Sequence, residues 1–395
     1  MLHIINAQVI TPTEIIQQGW VSLAGGRIVE VGDQSKGQRN PSSGKIIDAQ
    51  GMYLSPGFID IHVHGGGGAD FMDNELEAYL TIAETHAKFG TTAMLPTTLT
   101  SEQDLLLETF DVYEKALSLN SAGAQFLGLH LEGPYFAMNQ RGAQDPRYIR
   151  NPDAKEYLPI LEKYGHHIRR WSAAPELPGA LEFGSALLAK GVLPALAHTD
   201  AVYSEILKGL NYGYRLATHL YSGMSGMTRK NAHRYAGAIE TCLLLDEIDV
   251  EIIADGVHLP EPFLKLICKV KQPDQIILIT DAMRAAGTQD TASILGGKSN
   301  GLPVIIEEGV AKLPDRSSFA GSIATADQLI RTMRDIAGLQ LEQAVQMLTR
   351  NPARLLNILD HTGTIEKGKQ ADLVLFDKNI QILKTIIKGK VVYAQ

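Results

Sequence analysis

The middle of the chain alternates short apolar segments with amphipathic stretches, and this alternation restricts the fold more than any other feature of the sequence. The apolar segments lack the polar alternation of half-exposed strands, which is typical of strands buried on both faces of a parallel sheet. We predict strands at 58–63, 91–96, 126–131, 168–173, 192–197, 214–218, 250–254 and 275–279. We predict helices at 75–89, 102–119, 180–190 and 260–270.

Eight strand–helix units in roughly 290 residues predict an α/β protein with a (β/α)8 TIM-type barrel. A doubly wound parallel sheet is the main alternative. Both ends of the chain are instead rich in short strands, with turns expected at Gly25–Gly26 and Lys388–Gly389. Because chain termini often lie close together, we predict one small β domain built from residues 1–53 and 354–395. The barrel then spans residues 54–353.

Composition excludes several classes of function. The formal net charge is −8 and the 36 basic residues are scattered, which argues against a surface for nucleic acid or an anionic membrane. Cys242 and Cys268 are too few for a disulfide framework. No apolar segment approaches the roughly 18 residues of a membrane span, and no secretory signal is visible. We therefore expect a cytoplasmic protein that binds neither nucleic acid nor membrane.

Polar side chains follow most of the predicted strands at the point where each strand ends. Barrel enzymes form their active sites at these carboxyl ends, and burying polar groups there is costly unless they have partners. We therefore expect one shared site from these residues, which are His62, His64, Glu132, His198, His219, His258 and Asp281.

These residue types favour a transition-metal centre. His62 and His64 are two positions apart, so on a strand they point to the same side. Imidazoles with one carboxylate suit Zn²⁺ or Fe²⁺ better than Mg²⁺ or Ca²⁺. A metal with an open position makes hydroxide available near neutral pH, and Asp281 can move the proton. This pattern predicts metal-assisted hydrolysis. His130 shares a side of its strand with Glu132 and either supports a ligand or packs inside the barrel.

The segment Pro56–Gly65, which reads PGFIDIHVHG, is similar to the amidohydrolase superfamily. Other segments narrow the resemblance to the N-acetylglucosamine-6-phosphate deacetylase family, and they read LHLEGP, AHT, THLY, IADGVH, TDAM and AGS. The resemblance implies a barrel beside a β-sandwich, usually in a homodimer. It implies metal ligands at Glu132, His198 and His219 and a catalytic aspartate at Asp281. Family members with His-x-His can hold a second, weaker metal there, which implies His62 and His64 as further ligands.

The implied reaction is hydrolysis of the acetamide of N-acetylglucosamine 6-phosphate, giving glucosamine 6-phosphate and acetate. The resemblance implies substrate contacts from Gln144, Ser222, Gly223, Arg229, Arg234 and His258. Two segments depart from the family pattern. Tyr221-Ser-Gly-Met replaces a motif with Asn-Ala, and 229–237 replaces Arg-Glu-Pro-Gly. We still expect a phosphate, held in part across the dimer by a basic cluster of Arg229, Lys230, His233 and Arg234.

Three other functions stay open from the sequence. The substrate can be a related sugar, such as N-acetylgalactosamine 6-phosphate. The enzyme can be another amidohydrolase acting on a cyclic amide, although many of those use a carboxylated lysine after strand 4 and 171–176 has no lysine. A non-catalytic metal-binding or sugar-binding barrel is the third possibility, but Asp281 has no use in it.

Overall fold

The computed structural model describes residues 1–37 and 44–395. The fold belongs to the α/β class, as predicted, with parallel strands and helices in the middle of the chain and mostly antiparallel strands at its ends. The N-terminal strands are β1 (Leu2–Ile10), β2 (Ile15–Ala24), β3 (Arg27–Asp33), β4 (Lys45–Asp48) and β5 (Tyr53–Pro56).

The strands and helices predicted for the middle of the chain are present close to their expected positions, together with further short strands and three helices that we did not predict. The strands are β6 (Phe58–Val63), β7 (Gly65–Gly66), β8 (Ala69–Asp70), β9 (Thr91–Pro96), β10 (Gln125–Phe126), β11 (Leu129–Glu132), β12 (Ile168–Ala173), β13 (Leu193–Leu196), β14 (Leu216–Ala217), β15 (Thr228–Lys230), β16 (His233–Tyr235), β17 (Asp249–Ile252) and β18 (Ile276–Leu278). The helices are α1 (Leu76–Ala87), α2 (Gln103–Leu119), α3 (Ala154–Tyr164), α4 (Ala180–Ala189), α5 (Tyr203–Leu210), α6 (Ala238–Leu244) and α7 (Glu261–Val270). The three that we did not predict are α3, α5 and α6.

An antiparallel sheet that we did not predict follows the parallel strands. It contains β19 (Ala292–Leu295), β20 (Leu302–Glu307), β21 (Val310–Lys312) and β22 (Phe319–Ser322). The helices α8 (Ala326–Asp335), α9 (Leu341–Gln346) and α10 (Arg350–Leu355) come next. The last strands are β23 (Leu373–Phe376), β24 (Ile382–Ile387) and β25 (Lys390–Ala394).

Both ends of the chain join in one sheet. Its order is β25-β24-β23-β5-β1-β2-β3, with β4 paired to β1, so β23 lies between a neighbour from each end. The two predicted turns are present, because Gly25, Gly26, Lys388 and Gly389 all have positive φ angles between adjacent antiparallel strands. The buried core of this sheet likewise draws on both ends, with residues such as Ile4, Val21, Leu54, Leu373 and Ile386.

The parallel strands form a curled sheet. Their orders are β10-β9-β6 and β11-β12-β13-β14-β17-β18. Thr97, just after β9, pairs with His130 of β11, and Ala282, just after β18, pairs with Val63 of β6. The first and last parallel strands are therefore neighbours. Because all these strands run in one direction, their carboxyl ends meet at one edge of the sheet.

A buried ion pair crosses the inside of this curl. Arg170 of β12 and Glu251 of β17 are both fully buried, and β13 and β14 separate their strands in the sheet. The Arg170 guanidinium donates to both carboxylate oxygens of Glu251 and, over 3.1 Å, to Thr218 Oγ1. Glu251 Oε2 lies 3.8 Å from Nδ1 of His62. The ion pair therefore lies next to His62, one of the polar residues at the carboxyl ends of the strands.

Candidate functional site

The carboxyl edge of the curled sheet brings the predicted metal-site residues into one buried cluster. His62 lies in β6 and His64 just after it, while Glu132 is the last residue of β11. His198, His219 and Asp281 follow β13, β14 and β18 within two or three residues. All six side chains are buried.

Glu132 lies at the centre of the cluster. Its Oε1 is 2.8 Å from Nε2 of His219, 3.4 Å from Nε2 of His198 and 3.5 Å from Nε2 of His62. Its Oε2 is 3.4 Å from Nε2 of His64. One carboxylate therefore faces the Nε2 atoms of four imidazoles.

Asp281 faces the same space from the last strand of the curl. Its Oδ1 lies 3.2 Å from Nε2 of His64 and 3.4 Å from Nε2 of His62. These two histidine nitrogens are 3.2 Å apart. The aspartate therefore borders the histidine pair.

Backbone carbonyls fix the orientation of three imidazoles. Nδ1 of His64, His198 and His219 lies 3.3, 2.8 and 3.1 Å from the carbonyl oxygens of Thr97, Gln140 and Ser222, respectively. A carbonyl accepts only, so each Nδ1 carries the proton in the neutral ring and each Nε2 presents a lone pair to the cluster.

This donor arrangement fits a transition metal. Nε2 of His198 is buried and has no hydrogen-bond partner within residues 1–37 and 44–395. Lone pairs that converge on a carboxylate repel one another unless a cation lies between them, and carbonyl-oriented imidazoles are the usual zinc ligands. The set Glu132, His198 and His219 can hold one ion, and His62, His64 and Asp281 can hold another. The latter three have donor atoms within 4.8 Å of one another, as do His62, Glu132 and His219.

Without a metal, the charge states of the clustered side chains favour the binding of a cation. Burial raises the pKa of the Glu132 carboxyl, but the surrounding imidazoles outweigh it and hold that pKa well below the usual range. Burial likewise opposes ionisation of Asp281, while His62 and His64 lower its pKa. Burial lowers the pKa of His64, yet Asp281 and Glu132 raise it to about 10. Both carboxylates are therefore ionised at neutral pH, and they attract positive charge to the imidazoles.

A cavity of about 530 Å³ opens onto the cluster. Of the predicted substrate contacts, the ones that line it are Gln144, Ser222, Gly223 and His258. Nδ1 of His258 lies 2.7 Å from Oδ2 of Asp255, an arrangement that orients the ring. The cavity is therefore large enough for a small polar substrate whose reacting atom meets the cluster.

The predicted basic cluster lies elsewhere in the chain. Arg229 and Arg234 pair directly across the hairpin β15–β16, and both are exposed, as are Lys230 and His233. None of these four residues lines the cavity of the described chain. Their predicted contact with a phosphate is therefore not made by the cavity of the same chain.

Several cavity and support residues were missing from the sequence prediction. Lys312, Arg316 and Phe319 reach the cavity from the unpredicted antiparallel sheet. Both cations contact Glu307, at 3.2 Å from Lys312 Nζ and 2.8 Å from Arg316 Nε. Glu251 did leave a signal, because it is the one charge inside the predicted strand 250–254, whereas Arg170 lies beside a second arginine, Arg169, in the predicted strand 168–173.

His130 supports the cluster rather than joining it. Its Nε2 lies 2.8 Å from Ser172 Oγ and its Nδ1 3.3 Å from Thr97 Oγ1. Its ring packs edge-on against that of His62, with centroids 4.6 Å apart. Both of its nitrogens therefore face hydroxyl groups.

Two further observations bear on the sequence predictions. Cys242 and Cys268 are both free thiols. None of the described helices is both long enough and apolar enough to span a bilayer.

Residues 53–392 match the family described as Amidohydrolase family. N-acetylglucosamine-6-phosphate deacetylase from Lysinibacillus sphaericus is 35% identical over 356 residues, which cover 87% of this chain and 87% of the relative. N-acetylgalactosamine-6-phosphate deacetylase from Escherichia coli O157:H7 is 29% identical over 395 residues, which cover 99% of each chain.

The fold is also similar to solved structures. The crystal structure of N-acetylglucosamine-6-phosphate deacetylase from Pasteurella multocida superposes with a TM-score of 0.92 and 26% sequence identity, and the match covers 100% of both chains. The likeness therefore includes the terminal sheet as well as the curled parallel sheet.

Proposed function

The chain belongs to the amidohydrolase family, and from that premise we propose that it hydrolyses the acetamide of N-acetylglucosamine 6-phosphate, releasing acetate and glucosamine 6-phosphate. It is a hydrolase that acts on an amide bond. The observation that carries the proposal is the convergence of four imidazole Nε2 atoms on Glu132, with Asp281 beside them, at the base of an open cavity.

We propose that Glu132, His198 and His219 hold one tight divalent metal, and that His62 and His64 contribute to a second, weaker site. Zn²⁺ suits this donor set best, with Fe²⁺ as the alternative. A metal bound there supplies a Lewis acid that polarises the acetamide carbonyl and acidifies a water molecule. Support comes from the orphaned Nε2 of His198 and from the carbonyl groups that orient three of the rings.

Asp281 is the proton carrier in this proposal. The pKa of Asp281 lies below the usual aspartate value, so the carboxylate is ionised at neutral pH and its Oδ1 is available to accept the proton that the attacking water loses. The same oxygen then delivers that proton to the amine nitrogen as the C–N bond breaks. His258, whose Nδ1 donates to Asp255, lines the cavity, and Nε2 of its neutral ring can accept a hydrogen bond from the sugar.

The epimer of the sugar defines a second candidate function. One full-length relative is named as a deacetylase of N-acetylgalactosamine 6-phosphate. Ser222 and Gly223, which line the cavity, replace the Asn-Ala of the family pattern. The galacto-epimer is therefore the substrate to compare with the gluco-epimer.

We propose that the phosphate is bound across a homodimer by the hairpin β15–β16. Arg229, Lys230, His233 and Arg234 are exposed on this hairpin. Met227 and Tyr235 are exposed apolar side chains on or beside it, with 49% and 43% of their surface accessible. In this proposal a partner chain covers these two residues, and the basic side chains reach the cavity of that partner.

We propose that the curled sheet is a closed (β/α)8 barrel of residues 54–353 and that residues 1–53 and 354–395 form a β-sandwich domain. The strand pairings at Thr97–His130 and Val63–Ala282 support closure, and the shared terminal sheet supports the discontinuous domain. The two free thiols agree with a reducing, cytoplasmic location.

The test combines metal analysis with an acetate-release assay. Purified protein is offered N-acetylglucosamine 6-phosphate, its galacto-epimer and unphosphorylated N-acetylglucosamine. We expect at least one tightly bound zinc or iron per chain and the highest kcat/KM on a 6-phosphate. Bound metal without acetate release from any of these sugars would contradict the proposal.

A further inference from the structure

Gln144 makes three hydrogen bonds that tie a metal-site carboxylate to a neighbouring loop. It lies between β11 and α3, and only 5% of its surface is exposed. Its Oε1 accepts from the backbone N–H of Thr100 over 3.0 Å and from the Thr100 hydroxyl over 2.9 Å. Its Nε2 donates to Oε2 of Glu132 over 2.7 Å.

Thr100 determines which way the Gln144 amide faces. A backbone N–H can only donate, so the side-chain atom that faces it must be the carbonyl oxygen. The amide nitrogen then faces Glu132, whose ionised carboxylate can only accept. The reversed amide would set donor against donor at Thr100 and acceptor against acceptor at Glu132. A single orientation therefore satisfies both partners.

The hydrogen bond from Gln144 gives the two carboxylate oxygens of Glu132 different partners. Oε2 is occupied by Gln144, whereas Oε1 is the oxygen nearest to His62, His198 and His219. A carboxylate with one oxygen tied in this way cannot rotate freely about its terminal bond. Its other oxygen stays aimed at the histidine nitrogens.

The loop after β9 holds the site at several other points. The Thr97 carbonyl orients His64, and Thr98 Oγ1 accepts from the backbone N–H of Glu132 over 3.3 Å. Thr100 adds the contacts to Gln144. This short run of threonines therefore supports both a histidine and the carboxylate of the cluster.

We infer that Gln144 is a positioning residue for Glu132, acting through Thr100, rather than primarily a contact of the acetyl group. The inference rests on the proposed metal site. It is independent of which amide the enzyme hydrolyses. Outer hydrogen-bond partners of metal ligands typically change metal affinity or activity about 10–100-fold when removed.

The test measures the zinc dissociation constant of metal-stripped protein by competition with a chelator, in the absence of substrate. We expect Gln144→Ala to weaken zinc about 10–100-fold. Thr100→Val, which removes the hydroxyl and keeps the backbone donor, should weaken it less, and Thr100→Ser should restore affinity. With saturating zinc, Gln144→Ala should change KM less than threefold.

Gln125→Ala is the matched control. Gln125 is also a glutamine that donates to a carboxylate, at 3.0 Å from Asp372 Oδ2, but it lies in β10 away from the cavity. Its loss should leave zinc affinity unchanged. Thermal unfolding of each variant separates loss of fold from loss of affinity.

Two results would overturn the inference. Wild-type zinc affinity in Gln144→Ala together with a KM raised tenfold would make Gln144 a substrate contact, with the proposed function intact. Failure of the wild-type protein to bind zinc or iron would remove the metal site, and this role with it.

Discussion

Three residues of the candidate site have left-handed backbone conformations, with φ values of 46° for His198, 33° for His219 and 49° for Asp281. Such conformations cost a non-glycine residue on the order of 1–3 kcal/mol each. Backbone hydrogen bonds hold Asp281 in place, from its N–H to the His62 carbonyl and from Ser322 N–H to its own carbonyl. At the residue scale, these strained backbone conformations therefore lower the stability of the fold, and they direct the three side chains into the candidate site.

Asp281→Asn should keep the fold and the tight metal while removing most turnover. Asparagine tolerates the left-handed region better than most residues, so the backbone is preserved, but an amide cannot carry the proton. Loss of general acid–base catalysis typically lowers the rate about 10²–10⁴-fold. Steady-state kinetics with metal analysis checks this. A near wild-type kcat at normal metal content would show that another group moves the proton.

Alanine substitution should rank the metal ligands. His198→Ala and His219→Ala should lose the tight metal, because each removes one of the three donors proposed for that site, which are Glu132, His198 and His219. His62→Ala should reduce total metal but keep the tight ion. Elemental analysis after dialysis against a weak chelator measures the difference. Equal loss from all three variants would instead indicate one shared two-metal centre.

Metal binding should release protons at pH 7.5. Burial lowers the pKa values of His64 and His219, but carboxylate contacts raise both above the ordinary histidine value, to about 10 for His64. The His64 ring is therefore protonated in the metal-free protein at this pH, and a metal that binds its Nε2 must displace that proton. Affinity should rise with pH up to about 10. Calorimetry in buffers of different ionisation enthalpy counts the protons, and a count of zero would contradict the expectation.

At the element scale, continuous apolar segments located the parallel strands well, because burial on both faces removes polar residues from the whole length of a strand. The segment 126–131 was the exception. It divides at Gly128, whose φ is 129°, into β10, which pairs with β9, and β11, which pairs with β12. A glycine at which the chain leaves one neighbouring strand and pairs with another does not change the hydrophobicity pattern, so this break could not be predicted from it.

The site residues were predictable for a related reason. Charged and imidazole groups stand out after apolar strands, so Glu132 and Asp281 could be found from sequence. Lys312 and Phe319 could not, because their antiparallel sheet lies outside the strand–helix repeat. The orientation of Gln144 depends on Thr100, a contact between residues 44 positions apart that no local pattern encodes.

The hairpin β15–β16 carries the prediction about phosphate. Arg229→Ala and Arg234→Ala should raise KM for a sugar 6-phosphate far more than for the unphosphorylated sugar, because a contact made equally in ground and transition states changes KM and leaves kcat. Kinetics on the paired substrates checks this, and sedimentation confirms that the oligomer persists. Equal kcat/KM of the wild-type enzyme on both sugars would exclude a phosphate site.

At the scale of the whole molecule, the pair Arg170–Glu251 ties together two strands of the curl, β12 and β17, that are not neighbours in the sheet. Arg170→Met should lower the free energy of unfolding by about 3–5 kcal/mol, because it leaves a buried carboxylate without its partner. The double variant Arg170→Met/Glu251→Leu should recover much of that loss. Urea unfolding of the wild type, both single variants and the double variant measures the coupling. Strictly additive losses would show that the two charges act independently.

The terminal sheet is built from strands that the ribosome makes at very different times. Pro56 of β5 pairs with Leu373 of β23, more than 300 residues later. At about 5–20 residues per second, the first strands leave the ribosome roughly 15–60 s before their partner exists. During that interval β5 presents an unpaired edge, which can join a strand of another chain. The order of synthesis therefore leaves this edge open to strands of neighbouring nascent chains until β23 emerges.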